Sequence, residues 1–157
     1  LLRDNAFHVF SQAEGLPDDF MRAVFEDGAG NLWFSSRKFI YRLTDGALKT
    51  YSQPEILKNT ITAVTEDRSG GVWLGGLAAG QVLRFRNDEQ TVFTTEDGLP
   101  NAQVNSLLGD RAGDVWVGTY QGLGVYRNGQ FTFLKTGDGL INNVVTKIYE
   151  SRDGSLW

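Results

Sequence analysis

The sequence predicts an all-β protein, a β-propeller fragment with three whole four-stranded blades plus two half-blades at the termini. The first observation is a repeat of about forty residues. It is marked by tryptophans at intervals of 40, 43 and 41 residues: Trp33, Trp73, Trp116 and Trp157. The second observation is that each repeat has room for four short strands separated by Gly, Asn or Asp turns. The third is that no window of helical length carries an apolar stripe at the helical period. Such a period is typical of propeller blades.

Two further positions recur in register with the tryptophans. A glycine stands three residues earlier in every repeat: Gly30, Gly70, Gly113 and Gly154. An aspartate stands six residues earlier in three repeats, Asp27, Asp67 and Asp110, and Ser151 takes its place in the fourth. Glycine here suits left-handed backbone that closes a tight turn. We expect each aspartate to cap its own turn, because calcium would need six or more oxygens in one loop.

The predicted strands follow one order in every repeat. First strands are expected at Met21 to Glu26, Ile61 to Glu66, Val104 to Leu108 and Val144 to Glu150. Second strands, which hold the tryptophans, are expected at 32–35, 72–75 and 115–119. Third strands are expected at 39–43, 81–85 and 124–127. Fourth strands are expected at 47–51, 91–94 and 130–134. The blades then occupy about 11–51, 52–93 and 94–134, with half-blades at 1–10 and 135–157. Because a blade cannot bury both faces alone, each tryptophan ring should fill the wedge between neighbouring blades.

Composition excludes several classes of function. The 157 residues carry a net charge of −4 with no run of like charges, so no nucleic-acid partner is expected. There is no cysteine, which excludes disulfides and thiolate metal sites. No stretch approaches the ~20 apolar residues of a membrane span. The chain begins without Met or a signal peptide, and we expect it to be a piece of a longer protein.

The sequence offers no pairing of a nucleophile with a base. The single histidine, His8, lies between Phe7 and Val9 in the context of an outer strand, and the carboxylates are scattered. We therefore predict no catalytic residue, no metal and no cofactor. Two alternatives stay open. A propeller lyase or glycoside-active enzyme should show acids or a histidine at the channel mouth, and a protein-interaction scaffold should show an exposed apolar patch.

Candidate ligand-binding residues lie in the loops that differ between repeats. The loop between the second and third strands and the connector between blades should emerge on the same face, around the channel mouth. These loops carry Arg37, Lys38, Tyr120, Gln121, Asn101 and Asn143. Side chains of these types suit hydrogen bonding and stacking against a sugar-like or acidic ligand. We predict them to bind a ligand.

Several short words in the third repeat resemble the two-component regulator propeller repeat. They are Asp-Gly-Leu-Pro-Asn at 97–101, Val-Trp-Val-Gly-Thr at 115–119 and Tyr-Arg-Asn-Gly at 126–129. The other repeats depart from this pattern: the first reads Phe-Ser-Ser at 34–36, the second reads Pro-Glu-Ile-Leu at 54–57 and Leu-Gly-Gly at 74–76, and the fourth has Ile141 in place of Pro.

The resemblance implies a sensor domain of a hybrid two-component system. By that resemblance the chain is periplasmic or extracellular, binds a small molecule or oligosaccharide, and is tethered to the membrane only through parts outside this segment. Binding would shift the relation of two propeller-bearing protomers. A kinase or cyclase output domain would lie elsewhere in the protein.

Closure of the ring is left open by the sequence, since propellers need at least four blades. The two half-blades could complete a fourth blade, two arcs could form a homodimer, or the chain could be an arc of a larger ring. We favour the larger ring, so the remainder of a larger propeller or a homodimer partner is expected to contact this chain.

Overall fold

The structure is a computed structural model, and it describes residues 2–3, 6–7, 16, 21–52, 61–76, 80–100 and 103–157. Near the N-terminus, β1 (Leu2–Arg3) pairs antiparallel with β2 (Ala6–Phe7). The rest of the described chain is dominated by three four-stranded antiparallel sheets, so the predicted all-β class is confirmed.

Each sheet contains four strands that are consecutive along the chain. The first sheet contains β3 (Ala23–Glu26), β4 (Leu32–Ser35), β5 (Phe39–Thr44) and β6 (Ala47–Ser52). The second contains β7 (Ile61–Glu66), β8 (Val72–Gly76), β9 (Val82–Arg86) and β10 (Glu89–Phe93). The third contains β11 (Val104–Gly109), β12 (Val115–Thr119), β13 (Gly122–Arg127) and β14 (Gln130–Leu134). The predicted strands of these three sheets are all present, with ends within two residues of those expected.

The predicted strand from Val144 to Glu150 is wrong. Within it, only an isolated antiparallel bridge joins Glu150 to Leu156. In the other repeats the first strand pairs with the second strand over four or five residue pairs, and the second strand begins one residue before the tryptophan. Here Leu156 and Trp157 stand at the equivalent positions, and Leu156 forms that bridge.

Short 3₁₀ turns lie at Thr95–Asp97, after the second sheet, and at Thr136–Asp138, after the third sheet. Each ends at a glycine with left-handed backbone, Gly98 at φ +97° and Gly139 at φ +113°. The glycines three residues before the tryptophans share that conformation, with φ of +82°, +80°, +98° and +86°. Such angles suit glycine because it has no Cβ to clash with the backbone.

The hydrophobic core lies between the sheets. One cluster joins Trp33 of the first sheet to Val72 and Phe85 of the second. A second cluster joins Trp73 of the second sheet to Val104 and other side chains of the third. The first strands of neighbouring sheets also contact each other, β7 with both β3 and β11. The three sheets therefore stack as propeller blades around the side formed by their first strands.

The tryptophans fill these wedges only where a following sheet is present. The ring centroid of Trp33 lies 5.2 Å from that of Phe85, and the centroid of Trp73 lies 4.8 Å from that of Tyr126. Both tryptophans are buried. By contrast Trp116 is half-buried and Trp157 is 79% exposed. The expectation that every ring is buried is wrong for these two, because no described sheet covers them.

Candidate functional site

The recurring aspartates hold the turn and the tryptophan together. Asp27 Oδ1 accepts hydrogen bonds from the amides of Ala29 (3.1 Å) and Asn31 (2.8 Å), and Asp27 Oδ2 accepts one from Trp33 Nε1 at 2.7 Å. The same indole-to-carboxylate bond of 2.7 Å joins Trp73 to Asp67 and Trp116 to Asp110. Because the turns and rings occupy these carboxylates, we assign them a structural role. Within the described part of the chain, no group of three or more His, Cys, Asp or Glu could hold a metal.

Hydrogen bonds keep the buried aspartates ionised. Burial alone would raise the pKa of Asp67. Bonds from Ser69, Trp73 and the amide of Gly71, together with the charge of Arg84, outweigh burial and lower this pKa to about 2. The pKa of Asp27 is lowered in the same way, against the effect of burial.

The antiparallel order places two sets of loops at one end of each sheet. The loop from the second to the third strand and the connector leaving the fourth strand share an end, which we call the connector end. The Asp-Gly turns and the final hairpins lie at the opposite end, which we call the turn end. The described loop residues that were predicted to bind a ligand belong to the connector end: Arg37, Lys38, Tyr120, Gln121 and Asn143.

A buried hydroxyl fixes the loop at the connector end of the first and third sheets. Ser36 Oγ accepts the amides of Lys38 (3.3 Å) and Phe39 (3.2 Å). Thr119 Oγ1 accepts the amide of Gln121 at 3.0 Å and donates to the Gly122 carbonyl oxygen at 3.0 Å. These loops are therefore held by the body of the sheet.

The predicted ligand residues are spread over the connector end. Arg37 and Lys38 are exposed on the first sheet, and Tyr120 (50% exposed) and Gln121 are exposed on the third. Asn143 is half-buried and its Oδ1 accepts the amide of Thr136 at 2.8 Å, so it also holds the connector. Asn101 lies outside the described residues, as do residues 77–79 of the second sheet and His8.

A groove runs across the first strands of all three sheets. It has a volume of about 320 Å³ and is lined by residues 22–24, 62–64 and 105–107 together with Lys147. Two of its polar side chains also hold the segment that follows the third sheet. Asn105 Nδ2 donates to the Val145 carbonyl oxygen (3.0 Å), and Ser106 Oγ accepts the Ile148 amide (3.2 Å). We call this cavity the axial groove.

The axial groove was not predicted from the sequence, although a signal for it exists. The residue eleven positions before each tryptophan is polar in every repeat but is not constant, being Arg22, Thr62, Asn105 and Thr146. The first three line the groove. A polar, changing residue within an otherwise apolar strand is typical of a surface that recognises something. Its meaning depends on knowing that the first strand is innermost.

No helix in the described residues is long and apolar enough to span a membrane. The family model for the two component regulator propeller matches residues 15–38 and 98–121, which fall in the first and third predicted blades. No curated protein matches the sequence.

Solved structures share the fold. The extracellular domain of a hybrid two component system from B. thetaiotaomicron is 22% identical, with a TM-score of 0.76 over 96% of this chain and 22% of that chain. A second such domain from the same organism is 20% identical, with a TM-score of 0.70 over 91% of this chain and 20% of that chain. Virginiamycin B lyase from Staphylococcus aureus is 18% identical, with a TM-score of 0.73 over 91% of this chain and 50% of that chain.

This chain thus spans about a fifth of the length of the two extracellular domains and half of the lyase. At these identities the likeness concerns the fold. The segments that the family model matches, 15–38 and 98–121, carry the recurring glycine, aspartate and tryptophan of the first and third repeats. Two segments of the chain therefore match the two component regulator propeller repeat in sequence, and the chain shares the fold of the solved propellers.

Proposed function

We propose that this chain is a non-catalytic part of an extracytoplasmic sensor domain, and that it binds a small polar ligand such as an oligosaccharide in the axial groove. The observation that carries the proposal is the contrast between constant and changing positions. The turn glycine and the tryptophan recur in every repeat, while the groove position changes from Arg22 to Thr62 to Asn105. A constant scaffold with changing side chains at one cavity favours recognition.

The chemistry of the groove suits a hydroxyl-rich ligand. Thr62, Asn105 and Ser106 supply hydrogen-bonding groups, and Arg22 and Lys147 supply positive charge. The volume of about 320 Å³ falls at the lower end of the range of ligand pockets. Arg37, Lys38, Tyr120 and the other loop candidates would extend the contact surface at the connector end.

The proposed location and sensing role rest on the match to the two component regulator propeller model and on the structural neighbours. Two of those neighbours are extracellular domains of hybrid two component systems. A ligand in the axial groove would touch the first strands of all three sheets at once. It would therefore bind best to one relative arrangement of the sheets and favour that arrangement, which is the requirement for a sensor.

A lyase is the second candidate, favoured by the likeness to virginiamycin B lyase. Elimination chemistry needs a positioned general acid or base. Among the described residues that line the axial groove there is no His, Asp or Glu, which favours a non-catalytic role for this site.

Larger assembly is also part of the proposal. The half-buried Trp116 and the 79% exposed Trp157 lie where a following blade would pack, by analogy with Trp33 and Trp73. We infer that the remainder of a larger propeller covers this face, and that a homodimer is the alternative. Sedimentation velocity on the chain distinguishes them, since a homodimer predicts twice the chain mass at micromolar concentration.

Thermal unfolding in the presence of a panel of neutral and acidic oligosaccharides tests the proposal. A ligand present at 100 times its Kd should add about 2.7 kcal/mol to the free energy of unfolding, or roughly 5–10 °C in Tm. Lys147→Ala should reduce the shift, whereas Arg86→Ala, at the turn end, should leave it unchanged. Arg37→Ala and Tyr120→Ala test the loop candidates in the same assay.

The proposal fails if no member of the panel raises the Tm. Its site fails if a ligand is found whose shift is the same in the chain and in Lys147→Ala. Turnover of a panel member, followed by mass spectrometry of the products, would favour the lyase instead.

A further inference from the structure

The same hydrogen bond joins successive repeats at two of their three junctions. At the first junction, the amide of Gly28 donates to Glu66 Oε2 at 2.7 Å. At the third junction, the amide of Arg111 donates to Glu150 Oε2 at 3.2 Å, and Arg111 Nε lies 3.8 Å from the same oxygen. Glu66 and Glu150 both stand seven residues before their tryptophans, and Gly28 and Arg111 both stand five residues before theirs. The carboxylate is therefore an element of the repeat.

The second junction lacks this carboxylate. Gly109 occupies the position of Glu66 and Glu150. A Cβ on Gly109 would lie 1.9 Å from the Glu66 carbonyl oxygen, so the close approach of the two sheets excludes any side chain here. The amide of Arg68 is equivalent to the amides of Gly28 and Arg111. It finds no acceptor among the residues that the structure describes.

A cavity of about 370 Å³ lies at this junction, at the turn end. Its charged lining residues are Asp67, Arg68, Arg84, Asp114 and Arg127, so three arginines face two aspartates. We call this cavity the second-junction cleft.

The equivalent cleft at the first junction has the opposite balance. Its volume is about 200 Å³, and it is lined by two arginines and three carboxylates. Two of those carboxylates, Glu66 and Asp88, correspond to Gly109 and Gly129 at the second junction. The second-junction cleft is more positive because glycine replaces these two acidic side chains and Arg68 stands where the first repeat has Gly28, while Asp114 adds one acid in return.

Two of the three arginines already have partners. Arg84 lies 2.6 Å from Asp67 Oδ2, and Arg127 pairs with Asp114. The side chain of Arg68 lies against Gly113, where an added Cβ would be 3.3 Å from Arg68 Cβ. In the described part of the chain Arg68 makes no ion pair or side-chain hydrogen bond. One amide and one guanidinium of the same residue are thus available together.

We propose that the second-junction cleft binds a carboxylate-bearing small molecule. The ligand's carboxylate takes, at the amide of Arg68, the place that the carboxylates of Glu66 and Glu150 take at the other junctions. The Arg68 guanidinium supplies the charge that a carboxylate prefers. This site lies at the opposite end of the sheets from the loop candidates, and it does not depend on the proposed function of the axial groove.

Propionate is the natural probe, because it reproduces the side chain of glutamate. We would titrate the ¹⁵N-labelled chain with sodium propionate at constant ionic strength and follow the amide resonances by NMR. The neutral isostere propionamide serves as the ligand control. We expect a saturable shift of the Arg68 amide with propionate, with a Kd of roughly millimolar for so small a ligand, and no saturable shift with propionamide.

Arg68→Gln should weaken the affinity by about fivefold, the effect of removing one exposed charge partner. Arg86→Gln makes the same change of charge at the exposed equivalent of Arg127 in the first-junction cleft, and should leave the Kd unchanged. The proposal is overturned if the Arg68 amide does not respond, if propionamide shifts it equally, or if Arg68→Gln binds propionate as tightly as the original chain.

Discussion

Replacing Trp73 with phenylalanine tests the bond between the recurring aspartate and tryptophan. Trp73 is fully buried, and its Nε1 donates to Asp67 Oδ2 at 2.7 Å. Phenylalanine keeps an aromatic ring in the wedge but removes the donor. Asp67 retains its bonds from Ser69 and Gly71, so the carboxylate stays ionised and loses one of its partners.

The size of the effect follows from two contributions. Loss of a hydrogen bond to a charged acceptor costs about 1.5–3 kcal/mol. The smaller ring leaves space beside Phe93 and Tyr126, whose centroids lie 5.2 Å and 4.8 Å from that of Trp73, and this costs about 1 kcal/mol more. We expect the free energy of unfolding to fall by about 3 kcal/mol, and the Tm by about 10 °C.

Urea denaturation followed by circular dichroism measures this change. The m value should stay constant, because the surface exposed on unfolding is nearly the same. Trp157→Phe is the matched control, since Trp157 is 79% exposed and Ser151 replaces its aspartate. That variant should lie within about 0.5 kcal/mol of the original chain. A loss for Trp73→Phe below about 1 kcal/mol, or equal to that of the control, would refute the reasoning.

Three further predictions follow from the same contacts. Gly109→Ala should lower the free energy of unfolding, measured in urea, by about 3 kcal/mol or more, because its Cβ would lie 1.9 Å from the Glu66 carbonyl oxygen. Gly129→Ala is the control: Gly129 has φ +84° and open space around it, so this variant should cost only about 1 kcal/mol. Equal losses in the two variants would contradict the close approach of the second and third sheets. Because the folded-state pKa of Asp67 is lowered to about 2, its stabilising effect should be complete above about pH 4 and be lost as the pH falls toward 2. Asp67→Asn should flatten the urea midpoint over that range, and an unchanged slope would count against it. Asp88 accepts a hydrogen bond from the Tyr51 hydroxyl and forms ion pairs with Arg42 and Lys49 of the first sheet. Asp88→Asn should therefore lower the free energy of unfolding by about 1 kcal/mol at low salt and by much less in 1 M NaCl. A loss of stability that salt does not reduce would exclude an ionic origin.

The sequence predicts the sheets well because the signals for them are local. Turn residues, the alternation of apolar side chains and the tryptophan period each act within about ten positions. The strand from Val144 to Glu150 was wrong for the opposite reason. Its own residues favour a strand, but a strand also depends on its pairing with a neighbouring strand, which propensity does not report.

Contacts between repeats were not predictable in the same way. The spacing of six between Asp67 and Trp73 recurs in the sequence, but spacing does not show that the carboxylate accepts the indole N–H. Likewise, Gly109 departs from the repeat pattern, because the position seven residues before the tryptophan is glutamate in the other repeats. Only the packing of the second sheet on the third shows that a Cβ cannot fit there and that the Arg68 amide has no acceptor among the described residues.

Of the candidate ligand-binding surface, the loop residues were predicted from the sequence and the axial groove was not. The loop between the second and third strands differs between repeats, and this variation predicts Arg37 and Tyr120, which are exposed at the connector end. The axial groove lies on strands, and recognising it requires knowing which strand of each sheet is innermost. Arg22 and Lys147 become neighbours of one cavity only once the three sheets are stacked.

The three sheets radiate from a common side, at which their first strands form the axial groove. Distances between pairs of spin labels, measured by pulsed electron paramagnetic resonance, test this most directly. One pair replaces Val24 and Lys147, which line the groove, and the other replaces Thr50 and Thr132, exposed on the fourth strands of the first and third sheets. We expect a clearly shorter distance for the groove pair than for the pair on the fourth strands. Equal distances, or a shorter one between the fourth strands, would contradict the propeller arrangement and the groove with it.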